Sequence, residues 1–87
     1  MREEYYEEFI KKYVNDWEKI SKYQKLPEDF IRKFKDRFDW RYISIYQKLS
    51  EDFIREFQDK VDWYSIYEYQ TLSEGFKNEF KDNIDWI

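Results

Sequence analysis

The chain has no cysteine and no histidine, and it has only one glycine and one proline. Without Cys there is no disulfide framework, no thiolate nucleophile and no Cys-based zinc site. Without His the commonest general base and the commonest metal ligand are gone. Ser21, Ser44, Ser50, Ser65 and Ser73 therefore have no imidazole to activate them. The single glycine, Gly75, cannot build a phosphate-cradling loop of the Walker or Rossmann type. No run approaches the roughly 18 consecutive apolar residues of a membrane span, and the opening Met1-Arg2-Glu3-Glu4 is not the apolar segment of a secretion signal. An excess of one charge is missing too. Sixteen basic and twenty acidic residues, interspersed, give a net charge of −4, which neither draws nucleic acid nor imitates it. The expectation is a soluble, intracellular, cytoplasmic protein that is not an enzyme and uses no metal or cofactor.

What is present divides two ways. A charged fraction of 41% with a mean hydropathy of −1.12 is the composition of a disordered chain. Aromatic residues at 24%, with 4 Trp, 9 Tyr and 8 Phe, are far more than such chains carry. Rings are therefore expected to form the core of one small folded domain, the most that 87 residues accommodate.

The four tryptophans, Trp17, Trp40, Trp63 and Trp86, are each 23 residues apart. They open three copies of one unit, at 17–39, 40–62 and 63–85, and residues 86–87 begin another. Residues 1–16 read as an N-terminal half-repeat, because Glu7-Glu8-Phe9-Ile10-Lys11-Lys12-Tyr13 resembles Glu28 to Phe34. The recurring apolar set is Trp17, Trp40 and Trp63; Ile20, Ile43 and Ile66; Leu26, Leu49 and Leu72; Phe30, Phe53 and Phe76; Phe34, Phe57 and Phe80. Tyr23/46/69, Gln24/47/70, Glu28/51/74, Asp36/59/82 and Asp39/62/85 recur with it.

Each unit reads as two short helices. The first opens at Trp behind an Asp N-cap (Asp16, Asp39, Asp62), and Trp40, Ile43 and Tyr46, three apart, are expected to share its inner face. The second opens behind Ser50 or Ser73, with Pro27 at that place in the first copy. Leu49 with Ile54 and Leu26 with Ile31 make hydrophobic staples. Phe53 and Phe57 point inward, and Glu51 with Arg55 is expected to form an outward i,i+4 ion pair. Helices this short are unstable alone, so the copies must pack on one another. The predicted fold is an all-α, short α-solenoid of stacked helical hairpins, forming a single domain. The third copy departs from the others at Gly75, Lys77 and Asn78 and reads as a C-terminal cap; its glycine lowers helix stability, so this unit is expected to fray first.

The Gln set is expected to satisfy backbone groups of its own turn or of the next unit. The Asp pairs (Asp36/Asp39, Asp59/Asp62, Asp82/Asp85) have carboxylate spacing that suits a hard cation. Their repetition, with one Asp of each pair capping the next helix, suits stacking better. Positions where the copies differ are the candidates for recognition: Lys19/Tyr42/Ser65, Lys22/Ile45/Glu68, Glu18/Arg41/Tyr64 and Ser21/Ser44/Tyr67. Large rings or aliphatics appear there in the later copies, so Tyr42, Ile45, Tyr64, Tyr67 and the unstacked Trp86 are the candidate partner-binding residues. The expected partner is another protein, neither nucleic acid nor membrane, with self-association through open solenoid ends as an alternative.

Residues 40–57, Trp-x-x-Ile-Ser-x-Tyr-Gln-Lys-Leu-Ser-Glu-Asp-Phe-Ile-Arg-Glu-Phe, resemble the short tandem repeats of uncharacterised proteins of giant DNA viruses, phages and bacteria. The resemblance spans 17–85 and departs at Tyr67, Gly75, Lys77 and Asn78. It implies a binding scaffold of viral, phage or mobile-element origin, acting in host cytoplasm if viral. A second expectation is an inhibitor of a host defence nuclease, of the anti-CRISPR kind.

Overall fold

The structure is a computed structural model that describes residues 5–13, 16–22 and 25–86; Tyr23, Gln24 and Ile87 lie outside them. Among the described residues there are eight helices and no strand: α1 (Tyr6–Lys12), α2 (Trp17–Ser21), α3 (Glu28–Lys33), α4 (Trp40–Tyr46), α5 (Glu51–Glu56), α6 (Trp63–Tyr69), α7 (Glu74–Glu79) and α8 (Lys81–Ile84). Each copy is a helical hairpin, and the first helices stack in sequence, α4 against α2 and α6 against α4. The short α-solenoid expected from the period is the observed fold, 40 Å long and 20 Å across.

Local chemistry sets the helix ends. Ser50 and Ser73 accept the backbone N–H of Phe53 and Phe76 at 3.1 Å, and Pro27 holds the extended N-cap position ahead of α3. Asp16 and Asp39 accept from the N–H of Lys19 and Arg41. Asp62 departs from that pattern: it makes no backbone cap and instead accepts the Ser65 hydroxyl at 2.6 Å.

In the second and third copies the Trp ring lies on the two recurrent phenylalanines of its own unit, whereas Trp17 meets Phe34 and Phe38. Trp40 stacks on Phe57 at 5.1 Å and Trp63 on Phe80 at 5.0 Å, while the indole N–H donates to the carbonyls of Lys35 and Gln58. Ile20, Ile43, Ile66, Phe30, Phe53 and Phe76 are fully buried, and Leu26, Leu49, Phe57 and Phe80 nearly so. The Trp rings, Phe34 and Leu72 are partly buried against this core. Phe38, Val61 and Ile84, at one position of the period, also belong to the buried set, as do the staple residues Ile31 and Ile54.

Tyr46 does not share the inner face; it is 48% exposed. Two steps of three residues on a helix of 3.6 per turn leave it about 120° behind Trp40, so the expected stripe bends away from the core. Ser21, Ser44 and Ser65, expected on the varied surface, are buried.

Gln47 and Gln70 join the copies in the reverse of the expected direction, reaching back to the preceding unit, and Gln24 lies outside the described residues. Gln47 Oε1 accepts the Leu26 N–H at 2.9 Å, and its Nε2 donates to the Ser21 carbonyl at 2.8 Å. Gln70 accepts the Leu49 N–H at 3.0 Å and donates to the carbonyls of Ser44 and Gln47. The chain turns between the helices in extended backbone, which cannot bond to itself, so one side-chain amide supplies both a donor and an acceptor. Gln47→Leu strands a buried N–H and a buried carbonyl, each costing about 1–3 kcal/mol. Urea unfolding is expected to show a loss of about 2–4 kcal/mol, against less than about 0.5 kcal/mol for Gln58→Leu on the exposed surface.

Ser44 is the small residue over which α6 packs: it has no exposed surface and its Oγ accepts the Asp62 N–H at 3.1 Å. The third copy has Tyr67 at this position, exposed. Ser44→Tyr must push α6 off α4, and overpacking of this size is expected to cost about 3 kcal/mol or to unfold the chain. Tyr67→Ser is expected to stay within about 0.5 kcal/mol in the same urea assay.

Candidate interaction surface

The face formed by the second helices is a ladder of ion pairs. Arg32 donates to both oxygens of Glu56 at 2.8 and 2.9 Å and to Asp29 at 2.7 Å, with its guanidinium 5.5 Å from the Phe53 ring centre. Arg55 repeats the arrangement one copy later with Glu79, Asp52 and Phe76. Glu28 accepts the N–H and hydroxyl of Ser50, and Glu51 does the same for Ser73. Glu51 is therefore not the i,i+4 partner of Arg55: it is committed to the cap of the following helix, and Asp52 takes the arginine at i,i+3. A carboxylate that satisfies two donors in a neighbouring copy outcompetes a solvated pair along its own helix.

At the third copy this face changes. Glu51 and Arg55 of α5 reach the copy that follows, and Ile54, three and one residues from them on the same side of the helix, is buried; the matching residues of α7 are Glu74, Lys77 and Asn78. An ammonium, paired with Glu74 at 3.6 Å, stands where the first two copies bury an isoleucine. Gly75 sits in the first turn of α7, with open space where a Cβ would stand.

The Asp pairs are dispersed among separate partners. Asp36 receives Lys60 at 3.4 Å, Asp39 receives Arg41 at 2.9 Å and Asp62 receives Ser65. Among the described residues no group of three or more acidic side chains is arranged to hold a metal ion, and no helix is long and apolar enough to cross a membrane.

The five candidate recognition residues separate. The Tyr42 ring stacks on Tyr46 at 6.2 Å beneath the Lys22 ammonium at 4.8 Å. Hydrogen bonding to the Glu18 carboxylate and, after it, that carboxylate's charge raise the Tyr42 phenol pKa above the usual value. Tyr42 is thus tied into the junction between α2 and α4. Ile45 is half-buried. Tyr64, Tyr67 and Trp86 stand exposed, Trp86 at 69%. Tyr46 and Tyr69, the latter 61% exposed, join the surface although their recurrence suggested a stacking role. The lag of the third residue behind a helical stripe was the signal that locates them.

Two clefts lie side by side on the edge formed by the turns between helices. One is lined by Lys25, Leu26, Pro27, Glu28, Tyr46, Gln47 and Lys48, the next by Ile45, Tyr46, Gln47, Lys48, Tyr69, Gln70 and Thr71. Compared with protein-family models, with curated proteins and with solved structures, the chain matches none.

The ladder carries a pH signature. Hydrogen bonding and charge from Arg32 hold the Glu56 carboxyl below its ordinary pKa. A depressed folded-state pKa means that the stabilisation is present above the unfolded value and disappears as pH falls through the folded value. Glu56→Gln is expected to melt below the parent at neutral pH, and the gap is expected to close on acidification below the ordinary glutamate range. Thermal melts followed by circular dichroism across that range test this.

Proposed function

We propose that the protein is a non-enzymatic helical-repeat module that binds another protein through exposed rings of its second and third copies. The observation that carries this reading is the placement of the exposed large side chains: among the described residues Tyr46, Tyr64, Tyr67 and Tyr69 are in the second and third copies, Trp86 directly follows them, and only Tyr5 is elsewhere. Aromatic rings held on short helices, with few rotamers to lose, are the side chains that dominate protein interfaces. Glu28, Arg32, Glu51 and Arg55, by contrast, are engaged in joining copies to one another. End-to-end self-assembly fits less well, because Lys77 and Tyr67 replace the buried Ile and Ser with which the earlier copies receive a neighbour.

The combined variant Tyr64→Ala, Tyr67→Ala, Trp86→Ala removes exposed rings and leaves the core untouched. Its urea midpoint is expected to stay close to the parent's, while a partner captured by the parent from its native host, identified by mass spectrometry, is expected to bind at least tenfold more weakly. A variant that folds and captures that partner as well as the parent does would overturn the assignment of these residues.

A further inference from the structure

The edge formed by the turns between helices combines a row of tyrosines, unpaired lysines and a regular spacing. Tyr46 and Tyr69 end their first helices at the same position of the period; Tyr46 lines both adjoining clefts and Tyr69 the second. Tyr46 is fixed in place by the stack on Tyr42 and by Lys22, whose Nζ is 5.5 Å from its ring centre. An extended backbone segment follows each ring: Gln47 and Ser50 have ψ of 139° and 155°, and Gln70 and Ser73 have 150° and 158°. Lys48 lies in the first of these segments and Lys25 at the matching position of the first copy's turn; both are exposed and outside any ion pair among the described residues.

The spacing selects the occupant. Helices that pack as α4 and α6 do are about 8–10 Å apart, so equivalent tyrosines recur at about that interval along the edge. A polyproline II helix advances about 9.3 Å in each turn of three residues. An α-helical occupant, with a pitch of about 5.4 Å, falls out of step after one copy. Flat aromatic walls suit proline rings, and a preformed extended segment loses little entropy on docking. Lys25 and Lys48 supply the charge complementarity, since one acidic residue per turn places carboxylates along the side that faces them. We infer that this edge binds a proline-rich, acidic segment of another protein in the polyproline II conformation, one turn per copy. The inference rests on the protein-binding reading above and adds to it a second surface, separate from Tyr64, Tyr67 and Trp86, with a partner class of its own.

Tyr69 lies about 140° of helix rotation from Tyr64 and about 160° from Tyr67, so the two surfaces are separable by mutation. The probe is a fluorescein-labelled peptide of repeated Pro-Pro-Glu triplets, titrated by anisotropy with the full chain. Controls are a Gly-Ser-Glu peptide of equal length and charge and a labelled oligothymidylate. The Pro-Pro-Glu peptide is expected to bind at least tenfold more tightly than either control. Tyr46→Ala and Tyr69→Ala are each expected to weaken it about tenfold, the size of one hot-spot ring. Lys48→Glu is expected to weaken it similarly and to flatten its salt dependence. Tyr64→Ala with Tyr67→Ala is expected to leave it unchanged, and thermal melts of all variants report folding. Equal binding of the Gly-Ser-Glu peptide, preference for the oligothymidylate, no binding of Pro-Pro-Glu, or binding indifferent to Tyr46 and Tyr69 would each overturn the inference. In those cases, a captured partner lost on mutating Tyr64, Tyr67 and Trp86 leaves the wider reading standing.

Discussion

Between the two helices of the first and second copies, backbone groups lie against the copy that follows, and they have no helix or sheet to satisfy them. The glutamine of the following copy meets this constraint, reaching back to bind one N–H and at least one carbonyl. A stranded buried amide costs as much as a good packing contact gains, so this bond fixes the register of one hairpin on the next. The rest follows from that register: Arg32 and Arg55 find Glu56 and Glu79, Glu28 and Glu51 find the serine caps, and Ser44 lies under α6.

Stacking also explains how a chain with so many charges folds. Each exposed ion pair contributes little alone, but here carboxylates and guanidiniums span junctions whose aromatic and aliphatic residues provide most of the stabilisation. Rings are buried within a copy, Trp on Phe, and charges connect between copies. The arginines do both, covering the Phe of the next copy while holding its glutamate. The third copy keeps the internal stack and loses the outward-facing part of this arrangement at Lys77 and Asn78.

Legibility differed between the fold and the surface. The period, the helix starts and the Ser caps were readable because they depend on neighbours within a few residues. Direction was not readable. The glutamines were expected to look to their own turn or forward, whereas Gln47 and Gln70 look backward, and Glu51 was expected along its helix and crosses to Ser73. Both contacts span more than twenty residues, where spacing alone carries no geometry. Of the proposed recognition residues, Tyr42 is held by Glu18 and Lys22, whereas Tyr46 and Tyr69 emerge because a three-residue step drifts around a helix.

By itself the sequence determined what the chain is built from: a 23-residue unit, two short helices in each, aromatic rings as the buried set, and no Cys or His for the commonest catalytic chemistry. Local propensity, capping and periodicity act over short stretches, so they survive translation into a string of letters. Tertiary structure alone decided which recurrent residues face inward, which varied ones are buried, and where rings and unpaired lysines align on one edge. Those properties depend on the rotation and offset between stacked hairpins, set by contacts about one period apart in the chain and by the volume of a serine where two helices meet.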